Sequence, residues 1–80
     1  MANKVEPVAI QARGMKCPWP ALRATRAMRE TDAIVIEADD PIAGAELEAL
    51  ARHNGWDFAA LGQDRYRLAR RTGPAQPREL

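Results

Sequence analysis

Ala33-Ile34-Val35-Ile36-Glu37-Ala38-Asp39-Asp40-Pro41 is the stretch on which the fold turns. β-Branched residues crowd its first half and suit a pleated strand. Side chains alternate faces along a strand, so Ile34 and Ile36 share one face and Glu37 lies on the other. Asp39-Asp40-Pro41 then reads as a helix start. Asp40 is placed as N-cap and Pro41 at the first helical position, with carboxylates beside the positive helix end. Leu47, Leu50 and Ala51 form the apolar stripe of that helix, and Asn54-Gly55 stops it, Gly suiting a left-handed cap. Trp56 to Leu61 and Arg65 to Arg70 follow as two strands of a hairpin joined by Gly62-Gln63-Asp64. In the last strand Tyr66 and Leu68 face one way and Arg65 and Arg67 the other.

Upstream, Thr31-Asp32 is a short break. Before it, Cys17-Pro18-Trp19-Pro20 opens a helix running to about Arg29, because proline is tolerated in a first turn that has no hydrogen bond to lose. Ala21, Leu22, Thr25 and Met28 share one face of it. Val5 to Ala12 reads as a first strand ending at Arg13-Gly14. The order is β-α-β-α-β-β. That predicts an α/β (α+β) two-layer sandwich: a small mixed four-stranded sheet with two helices on one face. A single domain over 1–71 and a loose C-terminal tail over 72–80, carrying Gly73, Pro74 and Pro77, are expected.

Eighty residues allow one thin-cored domain with no deep enclosed cavity, so chemistry belongs on its surface. A formal net charge of +1 lacks the basic excess of a nucleic-acid binder, and few aromatics leave no stacking platform. No secretion signal opens the chain and no run approaches the ~20 apolar residues of a membrane span. A cytoplasmic protein with no membrane contact is expected.

The reactive inventory is one Cys, one His and no Ser. That excludes a serine nucleophile, an internal disulfide and a Cys-x-x-Cys redox cycle. One Cys and one His do not make a four-ligand zinc site within a monomer unless carboxylates fill in, and no metal or organic cofactor is implied. Cys17 remains as nucleophile. It falls at the expected N-cap of the first helix, where the positive helix end lowers a thiol's pKa. Pro18 and Pro20 leave the free amide donors mainly to Trp19 and Ala21, and Arg13 and Lys16 add positive charge. An inert buried cysteine needs none of these flanks.

Ala12-Arg13-Gly14-Met15-Lys16-Cys17-Pro18-Trp19-Pro20 resembles the R-G-x-x-C-P-x-P signature of the TusA/SirA family of small sulfur carriers. Ile36 to Pro41 is similar to that family's strand and D-D-P helix start, and Gly55-Trp56 to its glycine before the third strand. The resemblance spans about Val8 to Arg70. It implies a sulfurtransferase acting as a relay: a persulfide sulfur accepted on Cys17 from a cysteine desulfurase or rhodanese-like donor and passed to an acceptor protein. Transfer RNA thiolation, molybdenum-cofactor assembly and sulfur oxidation are the pathways it implies. Cys17 is then the sulfur-bearing residue and Pro18 and Pro20 shape the helix end, with Arg13, Gly14 and Lys16 as supporting residues whose two cations favour an anionic sulfur. The chain departs from the pattern at Gln11, often acidic in the family, at Glu30-Thr31-Asp32, where a Gly is usual, and at Glu46-Leu47, which stands in for an Asp-Ile pair.

Trp19 reads either as an aromatic for partner docking or as cover for the helix end. Arg23, Arg26 and Arg29 read either as steering charges for an acidic partner or as a solvated face. Asp39 and Asp40 read as helix caps. The last strand's arginines read as keeping an edge or face soluble. A monomer is expected, with no direct nucleic-acid contact. Two rivals stand beside the carrier: a non-catalytic interaction or regulatory module, and a thiol handling redox or selenium chemistry.

Overall fold

The computed structural model describes residues 7–71, arranged as β1 (Val8–Gln11), α1 (Trp19–Met28), β2 (Ala33–Glu37), α2 (Ala43–Asn54), β3 (Trp56–Gly62) and β4 (Arg65–Arg70). The expected order is found. The expected tail over 72–80 lies outside the described residues, as do Val5 and Glu6 of the expected first strand. The sheet runs β1-β2-β4-β3, with β1 parallel to β2 and the other two pairs antiparallel. It is the mixed four-stranded sheet that the element order implies.

Period-two alternation in β2 sets the layers. Ile34 lies between Val8 and Leu68, and Ile36 between Ile10 and Tyr66. Ile34, Ile36 and Leu68 are fully buried and cluster with Ala24 and Met28 of α1 and Ala43, Leu47 and Ala51 of α2. Both helices therefore cover one face. Each fully buried Ile, Leu or Met contributes roughly 1.5–3 kcal/mol by leaving water. The opposite face is wet: Glu37 pairs across strands with Gln11 and Arg65, and Val35 with Arg67. β4 is an inner strand, so its Arg65 and Arg67 solubilise an open face and no edge.

Arg70 has a structural task. Its guanidinium donates to the Met28 carbonyl at the end of α1, pairs with Asp32 and lies over the Trp56 ring. A cation there suits the negative end of the helix. At the end of α2, Gly55 takes the left-handed conformation expected of it, at φ 75°.

The buried face of α1 differs from expectation. Pro20, Ala24 and Met28 are buried, with Ala27 packed beside them, while Leu22 is half-exposed. Pro20, Ala24 and Met28 recur every four residues along one stripe. Leu22 lies off that stripe.

Candidate functional site

The cysteine loop is built by backbone and two aspartates. β1 ends against β2 with Ala12 fully buried, its amide donating to the Glu37 carbonyl at 2.8 Å. The chain then reverses: the Met15 amide reaches the Ala12 carbonyl, and Gly14 sits at φ 82°, a conformation costly for any residue with a Cβ. The Gly14 amide donates to Asp39 Oδ1 at 2.9 Å and the Cys17 amide to Asp40 Oδ2 at 3.0 Å. Asp40 Oδ1 accepts from the Ile42 amide at 3.0 Å. One carboxylate thus ties the cysteine loop to the start of α2. Its pKa is held below the usual value by the Ile42 and Cys17 amides and then by the charge of Lys16.

The expected aspartate N-cap is not found. Ile42 is the N-cap of α2 and makes no side-chain capping bond, while the Asp39 and Asp40 carboxylates accept from the Gly14, Cys17 and Ile42 amides. α2 begins at Ala43 after a turn holding Pro41 and Ile42, so Pro41 lies before the first helical residue. The larger correction concerns Cys17. Pro18 is the N-cap of α1 and makes no side-chain capping bond, so Cys17 precedes the cap. The Trp19 amide, expected to be free, donates to the Lys16 carbonyl at 2.9 Å. The thiol's pKa is raised, not lowered. Partial loss of hydration comes first, then a hydrogen bond to the Glu46 side chain, then the negative charges of Glu46 and Asp40.

The expected cations do not reverse this. Arg13 faces the open side of the sheet, where its guanidinium meets Glu37 at 3.2 Å and Asp64 at 4.0 Å. Gln11, the departure from an acidic residue, accepts from the Arg13 amide and donates to Glu37. Replacing that acid therefore frees no positive charge for the sulfur, because Glu37 holds the arginine. Lys16 is exposed and its charge falls on Asp40.

Cys17 is a free thiol and half-buried, not turned into the core. Pro20 is buried in α1, whereas Pro18 is exposed. Trp19 (59%), Leu22 (50%) and Ile42 (50%) are exposed large apolar residues at this end of the molecule. Trp19 therefore does not serve as a buried cover for the helix end. Arg23 and Arg26 are exposed on α1, line a shallow groove with Ile10, Ala27 and Glu30, and make no ion pair among the described residues. Sequence reasoning missed Glu46 as a neighbour of the thiol. The available signal was an acid in the first turn after the D-D-P start.

A family model described as "Sulfurtransferase TusA" matches residues 9–70. Among solved structures, the crystal structure of a SirA-like protein from Desulfitobacterium hafniense superposes with a TM-score of 0.72 at 24% identity. The match covers 78% of this chain and 95% of that one, and shows a shared fold. No curated protein matches the chain.

Proposed function

Because the chain belongs to the TusA sulfurtransferase family, a family of sulfur carriers, we propose that Cys17 accepts a persulfide sulfur from a protein donor and hands it to a protein acceptor. A cysteine desulfurase or a rhodanese-like protein is the donor. The acceptor works in transfer RNA thiolation, molybdenum-cofactor assembly or sulfur oxidation. The carrier acts in the cytoplasm as a monomer, without cofactor or direct nucleic-acid contact. The supporting observation is the placement of Cys17: a free, half-buried thiol on a loop beside exposed Trp19, Leu22 and Ile42.

The chemistry is an exchange at sulfur. The Cys17 sulfur attacks the terminal sulfur of the donor persulfide, and the donor leaves as a thiolate. A thiol held protonated by its surroundings resists stray oxidation and alkylation, which act on the thiolate. Gly14, Pro18 and Pro20 hold the loop. Lys16 offsets the charge of Asp40, and Arg13 anchors the loop's far side through Glu37. Trp19 supplies an aromatic anchor for the partner, and Arg23 and Arg26 attract an acidic partner surface.

Incubation with a cysteine desulfurase and cysteine radiolabelled at sulfur tests this. Label should appear on the wild-type chain, leave on treatment with a reductant, and be absent from Cys17→Ala. Label retained by Cys17→Ala, or lost by neither reductant nor acceptor, would contradict the assignment.

A further inference from the structure

β1 closes one side of the sheet, and among the described residues no strand pairs with its outer edge. An open edge presents free amides and carbonyls to a further strand. The Ala12 amide points inward to the Glu37 carbonyl. Amides alternate in direction along a strand, so those of Ala9 and Gln11 point outward. Val-Ala-Ile-Gln carries no charge, proline or bulge to blunt that edge. β3, at the other side of the sheet, is guarded by Asp57 and by a bulge between Ala60 and Gly62. Beside β1, on the helix side of the sheet, Ile10, Arg23, Arg26, Ala27 and Glu30 line a groove of about 330 Å³. Val8, which shares a face with Ile10, is exposed. Arg23 and Arg26 make no ion pair among the described residues, so the groove offers two free cations against the single acid Glu30.

Resting on the carrier reading, we propose that the β1 edge and this groove form one docking site for an extended acidic segment of the partner protein, which adds to the four-stranded sheet as a further strand. Main-chain hydrogen bonds to β1 supply affinity, and alternate side chains supply specificity. The segment's acids meet Arg23 and Arg26, and an apolar residue on the same face meets Val8 and Ile10. β1 leads through Ala12 and Gly14 to Cys17, and α1 starts at Trp19 and returns along β1. A strand added to β1 therefore has one end at the cysteine loop. At ~1.5 Å of rise per helical residue, Arg26 lies about 10 Å along α1 from Trp19. An extended chain covers that distance in about three residues. The acids thus stand within roughly two to four residues of the partner's sulfur-bearing cysteine.

Fluorescence anisotropy with the full chain and a blocked, labelled peptide, Thr-Glu-Thr-Val-Thr-Glu-Thr, tests the site. In an added strand only every second amide faces β1. N-methylation of one alternate set should therefore weaken binding by roughly tenfold, and methylation of the other set should leave it unchanged. Gln in place of both Glu, or Arg23→Glu combined with Arg26→Glu in the protein, should also weaken binding, and the loss should shrink as salt rises. Equal effects of the two methylated sets, or no binding at millimolar peptide, would overturn the site. Dimers in sedimentation that the peptide leaves undisturbed would give the edge to a second copy and overturn it as well. Sulfur loading from a cysteine desulfurase is measured alongside. A chain that loads sulfur without the alternating effect keeps the carrier reading and loses the docking site. The alternating effect without loading keeps the site and contradicts the carrier reading.

Discussion

Asp40 joins the two halves of the site through a single carboxylate, with Oδ2 on the Cys17 amide and Oδ1 on the Ile42 amide. Its folded pKa is depressed, so the folded state binds fewer protons than the unfolded chain around that titration. Its contribution to stability is full above the unfolded pKa, about 3.9, and is lost as pH falls through the lower folded value. Asp40→Asn keeps one acceptor oxygen but turns an N–H toward an amide donor. The variant should melt lower at neutral pH, and its stability should vary less below about pH 4, as read by thermal melts across that range. Equal acid slopes in both proteins would contradict this role. Gly14→Ala, at φ 82°, should lose roughly 1–2 kcal/mol in denaturant melts. Cys17 stood out in the sequence as the candidate nucleophile from its place at a helix start, its flanking prolines and the nearby Arg13 and Lys16. Its raised proton affinity was not legible, because partial loss of hydration and then the acids Glu46 and Asp40 act through surroundings that only the packed fold creates.

Helix α1 shows where element-level reading stops. Its existence followed from the proline start and apolar spacing, but two apolar stripes compete for the sheet. The leucine-bearing stripe looks stronger on paper, yet the Pro20-Ala24-Met28 stripe is the one that is buried. Two substitutions separate these faces in denaturant melts. Ala24→Leu, at a fully buried position, should overpack and lose about 1–3 kcal/mol. Leu22→Ala should change stability by less than about 0.5 kcal/mol. The reverse ranking would contradict the observed face. β2, β4 and the Gly55 cap were legible because alternation and a left-handed glycine are local signals. The start of α2 lies further along than Asp40 and Pro41 suggested, because Asp40 closes a turn onto the Ile42 amide before the helix begins at Ala43.

At the scale of the molecule, one sheet face and both helices make the core, and the opposite face carries the Gln11, Arg13, Glu37 and Arg65 web. That web holds Arg13 away from the sulfur and leaves Arg23 and Arg26 as the exposed cations of α1. Reversing both to Glu should slow sulfur transfer from a protein donor, the deficit shrinking as salt rises, with loading from a small persulfide unchanged. Equal slowing with both donors would place these arginines in folding and remove them from docking. The element order, and with it the position of the cysteine loop beside the start of α2, was legible because each strand and helix carries its own start and stop residues.

The central claim, that Cys17 carries sulfur, is tested most directly by intact-protein mass spectrometry after exposure to a desulfurase and cysteine, wild type beside Cys17→Ala. The account predicts a gain of one sulfur atom, removed by reductant and absent from the variant. An unchanged wild-type mass with several donors, in a protein whose thiol still alkylates, would contradict it.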